Sequence, residues 1–315
     1  MVDGSSTAAA QRAYGCSCAL SRIGGLCGFW RLRSGIRRGM DWLVLRLRNL
    51  ARPLGTHAWR SLAYLAWKYA AMTTVLELRG MCYAYGRDSV LQGVDLKLEK
   101  GDFVALIGAN GSGKSTLLRC AAAIELPTGG AVRVAGIDTR GDPVAAKLHL
   151  GYGVAPGALP TLLTGRECLR LFAQSRSLKE IPESSLALAR RLELELHLDR
   201  SVAYYSLGTR QKLGIVLGLL GEPELLLLDE PLNGLDPMSA YALKQHLQGL
   251  VQERGVAILL ATHSLDIAER FINRAVLLHD GKIVRSWDIA ELDAVRGDPR
   301  RSLEHEMVLA LQRAR

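Results

Sequence analysis

"FVALIGANGSGKSTLLR", residues 103–119, decides the fold. Phe103 to Gly108 read as a short buried strand, and the residues from Thr116 onward have helical spacing. Between them lies "GANGSGKST", Gly108 to Thr116, which fits G-x-x-x-x-G-K-[ST] with the strand and the helix that the pattern requires. The glycines let the backbone curl until several N–H groups point inward, and the helix start adds a partial positive charge. Both favour a phosphate. Gly108, Asn110, Gly111, Ser112, Gly113, Lys114, Ser115 and Thr116 are therefore the candidate ATP-binding loop. Lys114 would reach the β- and γ-phosphates, and the Ser115 hydroxyl would ligate Mg2+.

The matching acidic element is "LLLLDEP", residues 225–231. An apolar strand carries Asp229 to its C-terminal end, where ligands of α/β sheets gather. Asp229 is the candidate Mg2+ residue, and Glu230 is placed to take a proton from an attacking water.

From this pair the pattern extends in both directions. "VLELRGMCYAYG" (75–86) and "VLQGVDLKLEKGD" (90–102) alternate as strands ending at a Gly-Asp turn. "VAILLAT" (256–262) is a buried strand of the parallel-sheet kind. "AVLLHDGKIVRSW" (275–287) is a hairpin turning at Asp280-Gly281. Thr164 with Glu167 predicts a capping-box helix start, and Asp236 before Pro237 predicts another N-cap. "TLLRCAAAIEL" (116–126) and "SSLALARRLELELHL" (184–198) are further predicted helices. Strands alternating with helices make an α/β fold, with a helical block of about 164–222 inserted into it.

Charge divides the chain. Residues 1–71 hold eleven of the forty Lys and Arg but two of the thirty-one Asp and Glu, so the net charge of +9 lies there and 72–315 is neutral. A neutral main domain gives no general attraction to nucleic acid. The segment also carries four of the five tryptophans. Three readings stand for it: a basic amphipathic helix on an anionic membrane surface, a transit-peptide-like leader, or residues ahead of a later start at Met40 or Met72. The cysteines lack C-x-x-C pairing, which speaks against a zinc site or a disulfide framework. No apolar run approaches the roughly 18 to 20 residues that span a bilayer.

With these motifs in order, residues 72–315 resemble the ATP-binding subunit of an ABC (ATP-binding cassette) transporter. The resemblance implies a P-loop NTPase core with a mixed sheet, an N-terminal antiparallel β subdomain and an inserted helical subdomain. Tyr85 falls at the position where an aromatic ring stacks on adenine, with Tyr83 leaving the register open by two. "SLGTRQK" is similar to the family signature, so Ser206, Leu207, Gly208 and Thr209 are expected to touch the ATP held by another chain. Gln211 and Lys212 match the polar pair that follows. "NGLDP" (233–237) resembles the D-loop, with Asp236 at its aspartate, and His263 in "ATHS" matches the histidine that contacts the γ-phosphate.

Three positions depart from the pattern. Leu207 replaces a glycine, Thr209 an often-found glutamine, and Ala155 stands where the family has a glutamine or glutamate. The resemblance implies a second nucleotide-binding subunit, giving a homodimer, and a separate transmembrane permease. It also implies a peripheral place on the cytoplasmic face of a membrane and no nucleic-acid partner. The "LTGRE" segment and the length are most similar to exporters. A soluble, non-transport cassette ATPase and a weakly hydrolysing regulatory cassette are the competing readings.

Overall fold

The structure of the protein is a computed structural model that describes residues 73–263, 271–298 and 300–314. The readings given for residues 1–71 lie outside the described residues. Strands β1 (Thr74–Tyr85) and β2 (Asp88–Glu99) form an antiparallel hairpin. β4 (Gly129–Val134) and β5 (Ile137–Asp138) extend it into a four-stranded antiparallel sheet ordered β2-β1-β4-β5.

The second sheet has six strands in the order β10-β9-β3-β8-β7-β6. These are β3 (Phe103–Ile107), β6 (Leu150–Tyr152), β7 (Leu225–Asp229), β8 (Ala257–Ala261), β9 (Arg274–His279) and β10 (Lys282–Trp287). Every pairing is parallel except β9 with β10, so the sheet is mixed as expected. The β9–β10 turn is the predicted one: Asp280 and Gly281 both have positive φ, 46° and 73°, as a tight two-residue hairpin requires.

The uninterrupted apolar strands are buried on both faces, and alternation assigns each residue to a face. In β3, Phe103, Ala105 and Ile107 pack into one core and Val104 and Leu106 into another. β7 and β8 divide the same way, with Leu226, Leu228, Ile258 and Leu260 in the first core. That core also takes the helices inserted after β6. The second core holds the antiparallel sheet and helix α1 (Lys114–Ala121).

After α1 comes α2 (Pro143–Leu148), and then the inserted helices α3 (Gly165–Ser175), α4 (Glu183–Arg191) and α5 (Leu207–Gly218). Helices α6 (Pro237–Arg254), α7 (Ile289–Arg296) and α8 (Leu303–Ala314) follow. Both predicted caps are present. Thr164 and Glu167 form a reciprocal capping box on α3, and Asp236 accepts from the Ser239 amide at the start of α6.

Two helices stop earlier than their spacing predicts. α1 ends at Ala121; Ala123 turns to φ 54°, and Glu125 then meets the Tyr83 hydroxyl at 2.6 Å. α4 ends at Arg191 because Glu193 takes φ 56°. A continued helix would carry Leu194 away from the face holding Leu188. The break buries Leu192, Leu194 and Leu198 together.

Candidate active site

Sheet order brings three strand ends side by side: β3 runs into the glycine loop, its neighbour β8 into Thr262-His263, and the next strand, β7, into Asp229-Glu230. In the loop, Gly111 and Gly113 have φ of 81° and 105°, which a side chain would strain. A Cβ on Gly108 would stand 2.3 Å from the Leu278 carbonyl, so glycine is required there too. Lys114 is buried, and its Nζ donates to the carbonyls of Gly108 and Ala109 at 2.8 and 3.0 Å. That ammonium is held inside the curl of its own loop. Ser112 Oγ is buried with no hydrogen-bond partner among the described residues, an orphaned polar atom of the kind a phosphate oxygen satisfies. Thr116 is buried in the first turn of α1, whereas Asn110, Gly111 and Ser115 are exposed.

A cavity of about 310 Å³ lies beyond the loop. Ser115 lines it together with Ala155, Leu207, Gln211, Asp229 and Glu230. The predicted Mg2+ pair, Ser115 and Asp229, and the predicted base thus share one space. Glu230 adopts φ 46°, unusual for a residue with a side chain. Its amide donates to the Ala261 carbonyl at 2.9 Å. Its Oε1 accepts from the His263 amide at 3.0 Å and lies 2.8 Å from His263 Nδ1. The structure therefore joins two residues that lie 33 positions apart in the chain.

The signature residues stand at the head of α5. Ser206 is the N-cap: its hydroxyl accepts from the Thr209 amide at 3.1 Å and pairs with the Thr209 hydroxyl at 2.8 Å. Gly208 lies against the Gly234 carbonyl, where a Cβ would come within 2.4 Å. Leu207 is 65% exposed and lines the cavity. Asp236 accepts from Ser239 and pairs with Lys212 Nζ at 2.9 Å. The Ser239 amide, then its hydroxyl and Lys212, hold the Asp236 carboxyl well below the usual carboxylate range.

The two tyrosines of the aromatic register differ in their surroundings. Tyr83 is buried and donates to Glu125, which raises its hydroxyl above the ordinary phenol range. Tyr85 is 43% exposed, and Arg119 Nη2 donates to its hydroxyl. Ala155 is exposed and lines the cavity. Sequence reasoning gave no role to Gln211, which is 8% exposed and whose Nε2 donates to the Glu230 carbonyl at 3.3 Å. Its spacing from Ser206 was the one available sign, and spacing alone does not show what the side chain reaches.

Comparisons with known proteins bear on the family and the fold. A family model described as ABC transporter matches residues 91–233. The chain is 32% identical over 224 residues to the bacitracin transport ATP-binding protein BcrA of Enterococcus faecalis, covering 70% of this chain and 71% of that one. It is 33% identical to the ABC-type transporter ATP-binding protein EcsA of Bacillus subtilis, covering 70% and 89%. A solved ATP-binding subunit of an ABC transporter matches with a TM-score of 0.68 and 32% identity, over 76% of this chain and all of that one. The dimeric, post-hydrolysis cassette MJ0796 bound to ADP and Pi matches with a TM-score of 0.62 and 26% identity, over 68% and 98%.

Proposed function

The chain belongs to the ABC transporter family as an ATP-binding, ATP-hydrolysing subunit, and from that premise we propose that two copies close on ATP to drive a separate membrane permease, as an exporter. The observation that carries the reading is the shared cavity of Ser115, Asp229 and Glu230, walled by Leu207 and Gln211 of α5.

In this reading residues 72–315 carry the ATPase and about 164–222 form its helical insertion, while 1–71 is an extension outside it. The glycine loop donates its N–H groups and Ser112 Oγ to the phosphates, and Lys114 exchanges its loop carbonyls for the β- and γ-phosphate oxygens. Tyr85 stacks on adenine. Among the described residues no cluster of three His, Cys, Asp or Glu could hold a metal. Ser115 and Asp229 are oxygen donors that suit Mg2+ alongside the nucleotide's own oxygens. When bound, that ion neutralises phosphate charge.

Glu230 takes the proton of the attacking water at its carboxylate, and His263 orients that carboxylate. Each chain has one phosphate loop and one signature, so Ser206 and Gly208 serve the ATP of the second copy, and Asp236 holds the adjoining turn. The dimeric relative supports the pairing. Among the described residues no helix is long and apolar enough to cross a membrane. In this reading attachment to the cytoplasmic face runs through the permease.

Glu230→Gln is the direct test. Turnover should fall by about 10² to 10⁴, with ATP still bound and a dimer accumulating in light scattering. Unchanged turnover would remove Glu230 as the base. Ala155 favours the second reading, a weakly hydrolysing cassette. That reading requires the unaltered chain to bind ATP yet turn over little, even when purified with its membrane partner.

A further inference from the structure

Helix α5 meets the rest of the site backbone to backbone. The Val154 amide donates to the Gly214 carbonyl at 3.1 Å. A Cβ on Gly214 would stand 2.0 Å from the Val154 carbonyl oxygen, and one on Gly218 would stand 2.9 Å from the Gly153 nitrogen. With Gly208 against Gly234, three glycines fasten α5 to the 153–154 segment and to the turn after β7. These pieces form a block, because contact this close leaves no slack for sliding.

From that block one buried polar side chain of α5 crosses to the acidic end of β7: Gln211, donating to the Glu230 carbonyl. Glu230 holds its positive φ because its neighbours determine it. Ala261 holds the amide, His263 the carboxylate, and Gln211 together with the Asn233 amide, at 3.2 Å, the carbonyl. Across the cavity Ala155 offers no polar atom beyond its backbone.

We infer that Gln211 is a positioning residue: through its amide donor, helix α5 sets the backbone of Glu230 and so the aim of its carboxylate. The inference rests on the reading of Glu230 as the base. Without Gln211 the carbonyl keeps the Asn233 amide, at 3.2 Å, as its remaining donor, so the turn after β7 and the Cα that carries the carboxylate are held less firmly. Binding of ATP at the glycine loop does not involve this bond.

The test is steady-state ATP hydrolysis by the full chain carrying Gln211→Met, which keeps length and packing but removes the donor, with Glu230→Gln measured beside it. The expected result is a kcat lower by about tenfold to a hundredfold, with KM for ATP within about twofold. Gln211→Glu, also without an amide donor, should behave the same. Either variant serves, provided that it binds ATP and unfolds at the temperature of the unaltered chain. A correctly folded variant with kcat within about twofold of the unaltered chain overturns the inference, and the base reading survives if Glu230→Gln is inactive. If Glu230→Gln is itself active, both fall.

Discussion

Tyr83 and Tyr85 stand two apart in β1, and strand alternation sends both to the same face. For that reason the sequence leaves them interchangeable. A contact 42 residues away separates them: Glu125 takes the Tyr83 hydroxyl, while Tyr85 keeps an exposed ring whose edge meets Tyr83 at 4.9 Å between centroids. If Tyr85 stacks on the base, Tyr85→Ala should weaken ATP binding by ~1–3 kcal/mol, and Tyr85→Phe should keep most of the affinity. Tyr83→Phe should leave affinity unchanged and cost about 1 kcal/mol of stability through the lost hydrogen bond. Titration with a fluorescent ATP analogue, paired with thermal unfolding, distinguishes the two residues. The loop glycines, Lys114, Asp229 and Glu230 were legible because each answers to local chemistry at fixed spacing. The Glu230–His263 contact and the Gln211 bond were not, because each depends on which strand ends the fold makes adjacent.

At the scale of elements, strands and caps were readable where a local rule governs them, as at Thr164 with Glu167 and at Asp280-Gly281. The end of α4 was not, because the burial of Leu194, a tertiary demand, overrides helical spacing. Helical glycines show the same limit. Gly214 and Gly249 look alike in sequence, yet Gly214 touches the Val154 backbone and a Cβ on Gly249 would meet nothing within 4 Å. Gly214→Ala should therefore destabilise the protein by ~1–3 kcal/mol through overpacking. Gly249→Ala, inside α6, should stabilise it by up to ~1 kcal/mol through helix propensity. Denaturant midpoints measured on both variants check the opposite signs. A destabilised Gly249→Ala, or a neutral Gly214→Ala, would mean that the packing around these helices is not as described.

For the whole molecule, the acid limb of stability divides into two windows. Glu224, held low by Lys100 and then His149, and Asp236, held low mainly by Ser239, are depressed carboxylates. Their stabilisation is present above the ordinary carboxylate range and is lost as pH falls below it. His246, on α6, acts at higher pH. Burial, and then the cations of Arg191 and Arg254, lower its imidazole from 6.5 to about 4. Between those values the unfolded chain binds a proton that the folded chain refuses, so stability must fall as pH drops through the window. Below about 4 both states are protonated and the contribution of His246 levels off. His246→Gln removes this proton from the unfolded state without adding a charge to the folded one. Thermal unfolding should then show the unaltered chain and the variant running parallel above pH 6.5, with the unaltered chain falling more steeply between 6.5 and about 4. Parallel curves throughout would mean that the imidazole protonates in the folded state as easily as in water, and that its surroundings are open to solvent.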